Sequence, residues 1–531
     1  MDTVNKTGGH LASSLGAVDA IIAMLYCFDF ESDKVIFDVG HQAYAYKILT
    51  DRREKFEKLR QEDGVSGFPL ISESKYDHFT SGHAGDALAG SLGYCYARDL
   101  QKQDNYVITF TGDSSFANGE SLEALLSTSK KPNKFLVILN DNQMSISPNA
   151  NAFSKFLSCE DEDSLSKADF LTKFGLNYIG ISDGHDINGL ISQFNNFKQN
   201  PVPTLIHIKT VKGKGFNKAE SDCEYYHGVS KDLVISENHF ADNLGAILSK
   251  RIEADPKTVC IVAGMSYGTG TDCIKIKYPS NFIDVGISED LAVTYASGLA
   301  LGGLKPIVCI YSTFLQRAYD QIVTNVCMQN LPVTFLIDRA GCTGGDGLTH
   351  QGIFDSAYLS HIPNLTILSP KNCVELEDML NFASTLNGPV AIRYPNGACD
   401  NDFETAKISH DNLWEVIKDG KGKCILAFGA RSLNVSYLAS QNTDAVVVNA
   451  RSLKPLDTKV LQKYFNRDII TVEDGIKQGG FGSMVMQYLI ETGFKNDCKI
   501  IAIDDKFVSH ASVNKQLKDN NLTVEYVKSL I

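Results

Sequence analysis

KPIVCIYSTFLQRAYDQ, residues 305–321, and VTFLIDRAGCTGGDGLTHQG, residues 333–352, decide how this chain is read. Each opens on a short apolar run of the kind that forms a strand buried on both faces of a parallel sheet. Each then breaks into a loop dense in aromatics, charge and glycine. In open α/β sheets ligands gather beyond the carboxyl ends of the strands, so these two loops are expected to wall an active site. Arg317, Arg339 and, from VAIRYP at 390–395, Arg393 are its natural anion binders. A planar guanidinium can hold a phosphate through two hydrogen bonds, which an ammonium cannot do.

Working outward, the same alternation of apolar run and helical stretch fills the chain. KVIFDVG at 34–40, YVITFTGD at 106–113, FLVILNDN at 135–142 and TLIHIKT at 204–210 predict one doubly wound α/β domain over residues 1–232. The polar stretch NKAESDCEYYHGVSKD, 217–232, reads as a crossing to the next domain. VCIVAG at 259–264, FIDVGI at 282–287, LTILSP at 365–370 and VAIRYP join the two opening strands in a second domain, 238–397. After the polar linker ACDNDFETAKISHDN, the runs CILAFGA, AVVVNA, IITVED and KIIAID predict a third, smaller α/β domain at 412–531.

A chain of 531 residues is too long for one core, in keeping with three domains. A net charge of −13 argues against nucleic acid or an acidic membrane as partner. The thirteen cysteines are scattered through apolar segments without a C-x-x-C pair, so buried reduced thiols are expected rather than disulfides or a zinc site. LASSLGAVDAIIAMLYCF, 11–28, lacks a basic leader and carries Asp19, and reads as a buried amphipathic helix in a cytoplasmic protein.

KTGGHLASSLG at 6–16, DVGHQAY at 38–44, ILNDNQMSISPN at 138–149, FIDVGISEDLAV at 282–293, the two opening stretches and GGFGS at 479–483 together resemble the 1-deoxy-D-xylulose-5-phosphate synthase family. These are thiamine-diphosphate enzymes of the transketolase superfamily. The resemblance implies three doubly wound domains of transketolase-like fold that bind, in order, the diphosphate with magnesium, the aminopyrimidine, and a C-terminal domain. It implies a transferase that condenses pyruvate with D-glyceraldehyde 3-phosphate, for isoprenoid, thiamine and pyridoxal synthesis, and works as a homodimer.

Residue by residue, the resemblance assigns magnesium to Asp113, Asn142 and the carbonyl of Met144, with Gly112 and Ser114 beside the diphosphate. Oxygen ligands at adjacent strand ends suit a hard cation, although turn chemistry also places Gly, Asp and Asn there. Glu289 matches the glutamate that hydrogen-bonds the aminopyrimidine, Phe314 the ring that stacks on it, and Ile287 an apolar prop for the cofactor. His10, His41 and His227 are expected near the donor's carbonyl and carboxylate, with His41 also at the cofactor, and His83 near the diphosphate. His350 and Asp346 would face the acceptor, and Tyr311, Arg339 and Arg393 its phosphate, with Arg317 nearby. Imidazole suits such work because it donates or accepts protons near neutral pH. His78, His361 and His410 lack that context.

The chain departs from the family pattern at Ala84-Gly85-Asp86, at Ser114, and at Asp290-Leu291 after Glu289. Asp86 would set a negative charge toward a diphosphate unless it points away. The chain begins almost at KTGGH, so the family's usual N-terminal helical segment is expected to be missing. The stretch between SISPN and LNYIGISDGHD is shorter than usual, which predicts a more open site or a different closure. Two rival readings stay open: a transketolase or other acyloin-forming paralogue with a different donor, and a catalytically silent binding paralogue.

Overall fold

Apolar runs that end at Gly, Asp or a polar turn become the strands of three sheets, each parallel or nearly so. The computed structural model describes residues 1–127, 130–145, 151–158, 167–229, 239–397, 399, 403–404 and 406–531. They belong to two units, Met1–Leu233 and Val234–Ile531.

In the first unit β1 (Lys34–Asp38), β2 (Val107–Gly112), β3 (Phe135–Asp141), β4 (Asn177–Asp183) and β5 (Thr204–Lys209) pair in the order β1-β2-β3-β5-β4, all parallel. Strand periodicity of two divides each strand between two layers. Leu136 and Ile138 pack with Ile108, Phe110, Ile206 and the helices Val18–Cys27 and Ile187–Gln199. Phe135, Val137 and Leu139 pack on the opposite face with Leu88 and Cys95 of helix Ala87–Leu100. Each such side chain contributes roughly 1.5–3 kcal/mol by leaving water.

The second unit holds two sheets. β6 (Thr258–Val262), β7 (Phe282–Asp284), β8 (Lys305–Tyr311), β9 (Thr334–Asp338), β10 (Thr366–Leu368) and β11 (Val390–Arg393) form a parallel sheet. The other sheet contains β12 (Glu415–Lys418), β13 (Cys424–Phe428) and β14 (Val446–Asn449). β15 (Ser452–Lys454) then leaves for the edge of the preceding sheet, antiparallel to β10, before β16 (Ile469–Ile476) and β17 (Cys498–Ile503) complete the order β12-β14-β13-β16-β17. Beside that crossing Arg451 reaches the carboxylate of Glu375 at 2.7 Å, while Lys371 pairs with both Glu375 and Glu415. Three buried charges, Lys371, Glu375 and Arg451, and the partly buried Glu415 thus compensate one another where the two sheets of this unit meet, as burial requires.

Two expectations are corrected. Residues 11–28 form two helices, Leu11–Gly16 and Val18–Cys27, because the chain breaks at Ala17. The stretch 217–232, expected as the crossing, lies at the end of the first unit; its described part forms helix Asn217–Ser221 and a turn at Tyr225–His227, and Val229 exchanges two 2.8 Å backbone hydrogen bonds with Gly9. Cys373 and Cys399, 26 residues apart, form a disulfide with Cα atoms 5.5 Å apart, because the start of helix Cys373–Ala383 and the segment after β11 meet in space. Among the described residues no helix is long and apolar enough to cross a membrane.

Candidate active site

Three histidines converge in the first unit. His10 immediately precedes helix Leu11–Gly16, His41 lies three residues past β1, and His227 ends the turn pinned to Gly9. Their ring centroids are 5.6 Å apart for His10–His41, 5.4 Å for His10–His227 and 5.3 Å for His41–His227. The Tyr44 hydroxyl accepts the His10 backbone N–H at 3.1 Å, and Ser14 donates to the His41 carbonyl at 2.8 Å. Enclosure pushes His227 well below the usual imidazole range, and the neighbouring Lys212, His41 and His10 act in the same direction. His227 is therefore neutral at pH 7, able to accept a proton at one nitrogen and donate at the other.

His83 sits on the loop that leads into helix Ala87–Leu100. The buried carboxylate of Asp38, at the end of β1, holds that loop by accepting the N–H of Gly85 at 3.0 Å and of Ala87 at 3.3 Å. Gly85 is required there: its φ is +101° and an added Cβ would lie 2.2 Å from the Asn118 side chain. Asp86 is the residue before the helix, where a carboxylate complements the positive end of the helix dipole. That gives this departure a local physical reason.

β2 ends at Gly112 and passes directly into helix Asp113–Phe116, so the buried Asp113 is its first residue. Gly112 lies opposite Asn140 in the β2–β3 register, which runs the turn carrying Asn142 and Met144 alongside. A Cβ on Gly112 would meet no atom within 4 Å, so the strand end is open. Asn142 Oδ1 accepts the Met144 N–H at 3.0 Å. Among the described residues no cluster of three or more His, Cys, Asp or Glu could hold a metal. The expected ligand set is of a different kind, with one carboxylate, one amide oxygen and one carbonyl. Those hard donors fit magnesium, which commonly takes few protein ligands and completes its shell with phosphate oxygens and water.

In the second unit Glu289 opens helix Glu289–Leu301 and is only 4% exposed. Burial lifts its carboxyl above the usual range against the opposing pull of Arg317, whose Nη1 is 3.8 Å from Oε2. Among the described residues Oε2 accepts no hydrogen bond. A buried carboxyl oxygen left so is costly unless a ligand group completes it, and a ring nitrogen with its amino group would do so. Ile287 stands two residues before it.

Tyr311 ends β8, and its ring stacks on Phe314 with centroids 5.5 Å apart and 11° between planes. Phe314 in turn meets the His350 ring edge-on at 5.7 Å. The Arg339 guanidinium lies 3.9 Å from the Tyr311 ring centroid, donates to the Gly268 carbonyl at 2.8 Å and pairs with Asp338. Gly268 permits this approach, since a Cβ there would overlap the Tyr311 hydroxyl. Thr349 Oγ1 lies 2.9 Å from His350 Nδ1, and Asp346 precedes the turn Gly347–Thr349 that carries it.

Arg393 ends β11, the strand next to the one that leads to Arg339. It is buried, its Nε donates to Asp355 at 3.0 Å, its Nη1 lies 3.6 Å from Asp474, and it packs over the Phe428 ring. Two carboxylates balance its charge and it joins the two sheets of the second unit, while its buried Nη2 makes no hydrogen bond among the described residues, a donor left for the expected phosphate. Sequence reading also missed Asp38, Lys212, Asp338 and Asp474. The signal for Lys212 was available, since the glycine-flanked KGKG at 212–215 follows a parallel strand.

Residues 1–165 and 160–210 match the family description 1-deoxy-D-xylulose-5-phosphate synthase. Residues 238–400 match the transketolase pyrimidine binding domain, and 413–527 the transketolase C-terminal domain. A 1-deoxy-D-xylulose-5-phosphate synthase of Thermus thermophilus is 40% identical over 568 aligned positions, covering 99% of this chain and 92% of the relative. One of Clostridium beijerinckii is 40% identical over 581, covering 100% and 94%.

Proposed function

The chain belongs to the 1-deoxy-D-xylulose-5-phosphate synthase family and is a transketolase-type transferase with that family's α/β fold, and from this premise we propose that it joins pyruvate to D-glyceraldehyde 3-phosphate. The products are carbon dioxide and 1-deoxy-D-xylulose 5-phosphate, a precursor for isoprenoids, thiamine and pyridoxal. When bound, thiamine diphosphate supplies the carbon nucleophile and electron sink that this chemistry needs.

In this reading residues 1–232 hold the diphosphate and magnesium, 238–397 the aminopyrimidine, and 412–531 form the C-terminal domain. Asp113, Asn142 and the Met144 carbonyl hold Mg2+, with Gly112, Ser114, His41 and His83 on the diphosphate side. Glu289 holds a proton at the aminopyrimidine, Phe314 covers its face and Ile287 props the cofactor. His10, His41 and the neutral His227 move protons at the donor's carbonyl and carboxylate. His350 and Asp346 do so at the acceptor, whose phosphate Tyr311, Arg339 and Arg393 bind, with Arg317 nearby. The working form is a homodimer, and the helix begun by Glu289 exposes Leu291, Tyr295 and Leu301 for such packing.

The observation that carries the reading is Glu289: a buried carboxyl at a helix start with one oxygen accepting no hydrogen bond among the described residues. Calorimetric titration with thiamine diphosphate and Mg2+ tests it. Saturable binding that weakens in Glu289→Gln supports the assignment, whereas a parent chain that binds neither would favour the silent-paralogue reading.

A further inference from the structure

The turn that follows β3 is held by the strand beside it. β5 and its extension carry three inward polar residues in six positions, His207, Thr210 and Lys212, all buried. Thr210 Oγ1 donates to Asn140 Oδ1 at 2.6 Å, ahead of the turn. Lys212 Nζ donates to the Ser145 carbonyl, behind it. His207 Nε2 lies 3.0 Å from Asp141 Oδ2, and His207 Nδ1 lies 2.9 Å from the Tyr178 hydroxyl of β4.

The chemistry fixes the direction of this chain of bonds. A carboxylate accepts only, so Nε2 carries the proton and Nδ1 is left to accept from the tyrosine. The phenol keeps its proton, because burial and then the nearby Asp141 push Tyr178 up to about 12. The other Asp141 oxygen, Oδ1, accepts the Gln143 N–H at 3.0 Å. Gln143 has φ +58°, a left-handed conformation that costs a residue with a side chain and persists only where its surroundings impose it. The N–H held by Asp141 belongs to the strained residue, and the turn it shapes presents Asn142 and Met144.

We propose that Tyr178, His207 and Asp141 form a positioning relay that sets the turn 141–144 in its cation-binding shape before any cofactor arrives, with Thr210 and Lys212 clamping its two ends. The inference rests on the reading of Asn142 and Met144 as magnesium ligands. None of the three touches the cation; they act through the turn, as groups behind metal ligands do elsewhere.

The test compares the full-length parent with His207→Leu, His207→Gln and Tyr178→Phe. Mg2+ affinity is measured by calorimetry in saturating thiamine diphosphate, and hydrogen exchange of the 141–145 amides in cofactor-free protein. His207→Leu should weaken Mg2+ roughly ten- to a hundredfold and speed exchange at Gln143 and Met144 while leaving β1 unchanged. His207→Gln, which can still donate to Asp141, should recover most of both. Tyr178→Phe deletes only a hydroxyl and should move both readouts the same way by a few-fold; it decides the matter if His207→Leu does not fold. Parent-like Mg2+ affinity and exchange in the variants overturns the proposal, as does faster exchange across the whole sheet that glutamine does not rescue. A parent that binds no Mg2+ would instead sink the magnesium reading, and the exchange data, taken without cofactor, would still report whether the relay holds the turn.

Discussion

Glu289 is buried where a helix begins, and burial outweighs the attraction of Arg317 in setting its protonation. Replacing it by alanine removes the group assigned to the aminopyrimidine, so turnover should fall about a hundredfold or more while circular dichroism stays that of the parent. Near-normal turnover would contradict the assignment. Arg339→Ala should raise the Michaelis constant for the phosphorylated acceptor roughly ten- to a hundredfold, the value of a lost charge-assisted contact of about 1.5–3 kcal/mol, with little change for pyruvate. Equal changes for both substrates would place the phosphate elsewhere. Histidines 10, 41 and 227 were legible in the sequence because each sits in a polar string at a loop, and they do meet. Asp38, Asp338 and Asp474 were not legible, because a carboxylate's partner is fixed only by tertiary contact. Arg393 was legible as an anion binder from its residue type, while its ion pairs with Asp355 and Asp474 were not, for the same reason.

At the scale of elements, the strands could be read from sequence because parallel strands covered on both faces are apolar runs ending in turn residues. β15 could not: three residues at a sheet edge carry no periodicity, and only the pairing with β10 defines them. The Cys373–Cys399 bridge was hidden for a similar reason, since spacing along a chain does not report proximity in space. Helix Phe481–Glu491 supplies a pH prediction. Glu473, fully buried at the helix start, accepts the N–H groups of Phe481 at 2.9 Å and Gly482 at 2.8 Å, yet burial prevails and lifts its carboxyl to about 7. Between an unfolded value near 4.5 and that value the folded chain binds the extra proton. Stability from this group is therefore greatest at low pH and falls as pH rises through that window, by up to about 3 kcal/mol. Chemical denaturation of parent and Glu473→Gln from pH 4.5 to 8 should show a falling component in the parent that the variant lacks. Identical slopes would contradict it.

For the whole molecule, the order of motifs from KTGGH to GGFGS was enough to indicate the family, and 40% identity across nearly the full chain shows it. Donor and acceptor remain a matter of chemistry at the site, because a fold of this kind serves many reactions. A homodimer predicts a particle of twice the 58.2 kDa chain mass by light scattering, and a monomer at micromolar concentration would contradict that part of the account. The central claim is the reaction, and the most direct measurement is product mass analysis after incubation with Mg2+, thiamine diphosphate, glyceraldehyde 3-phosphate and pyruvate labelled at either its carboxyl or its methyl carbon. The expected product is 1-deoxy-D-xylulose 5-phosphate that keeps the methyl label, with the carboxyl label released as carbon dioxide. No such product, or a sugar phosphate formed only when a ketose phosphate replaces pyruvate, would contradict it.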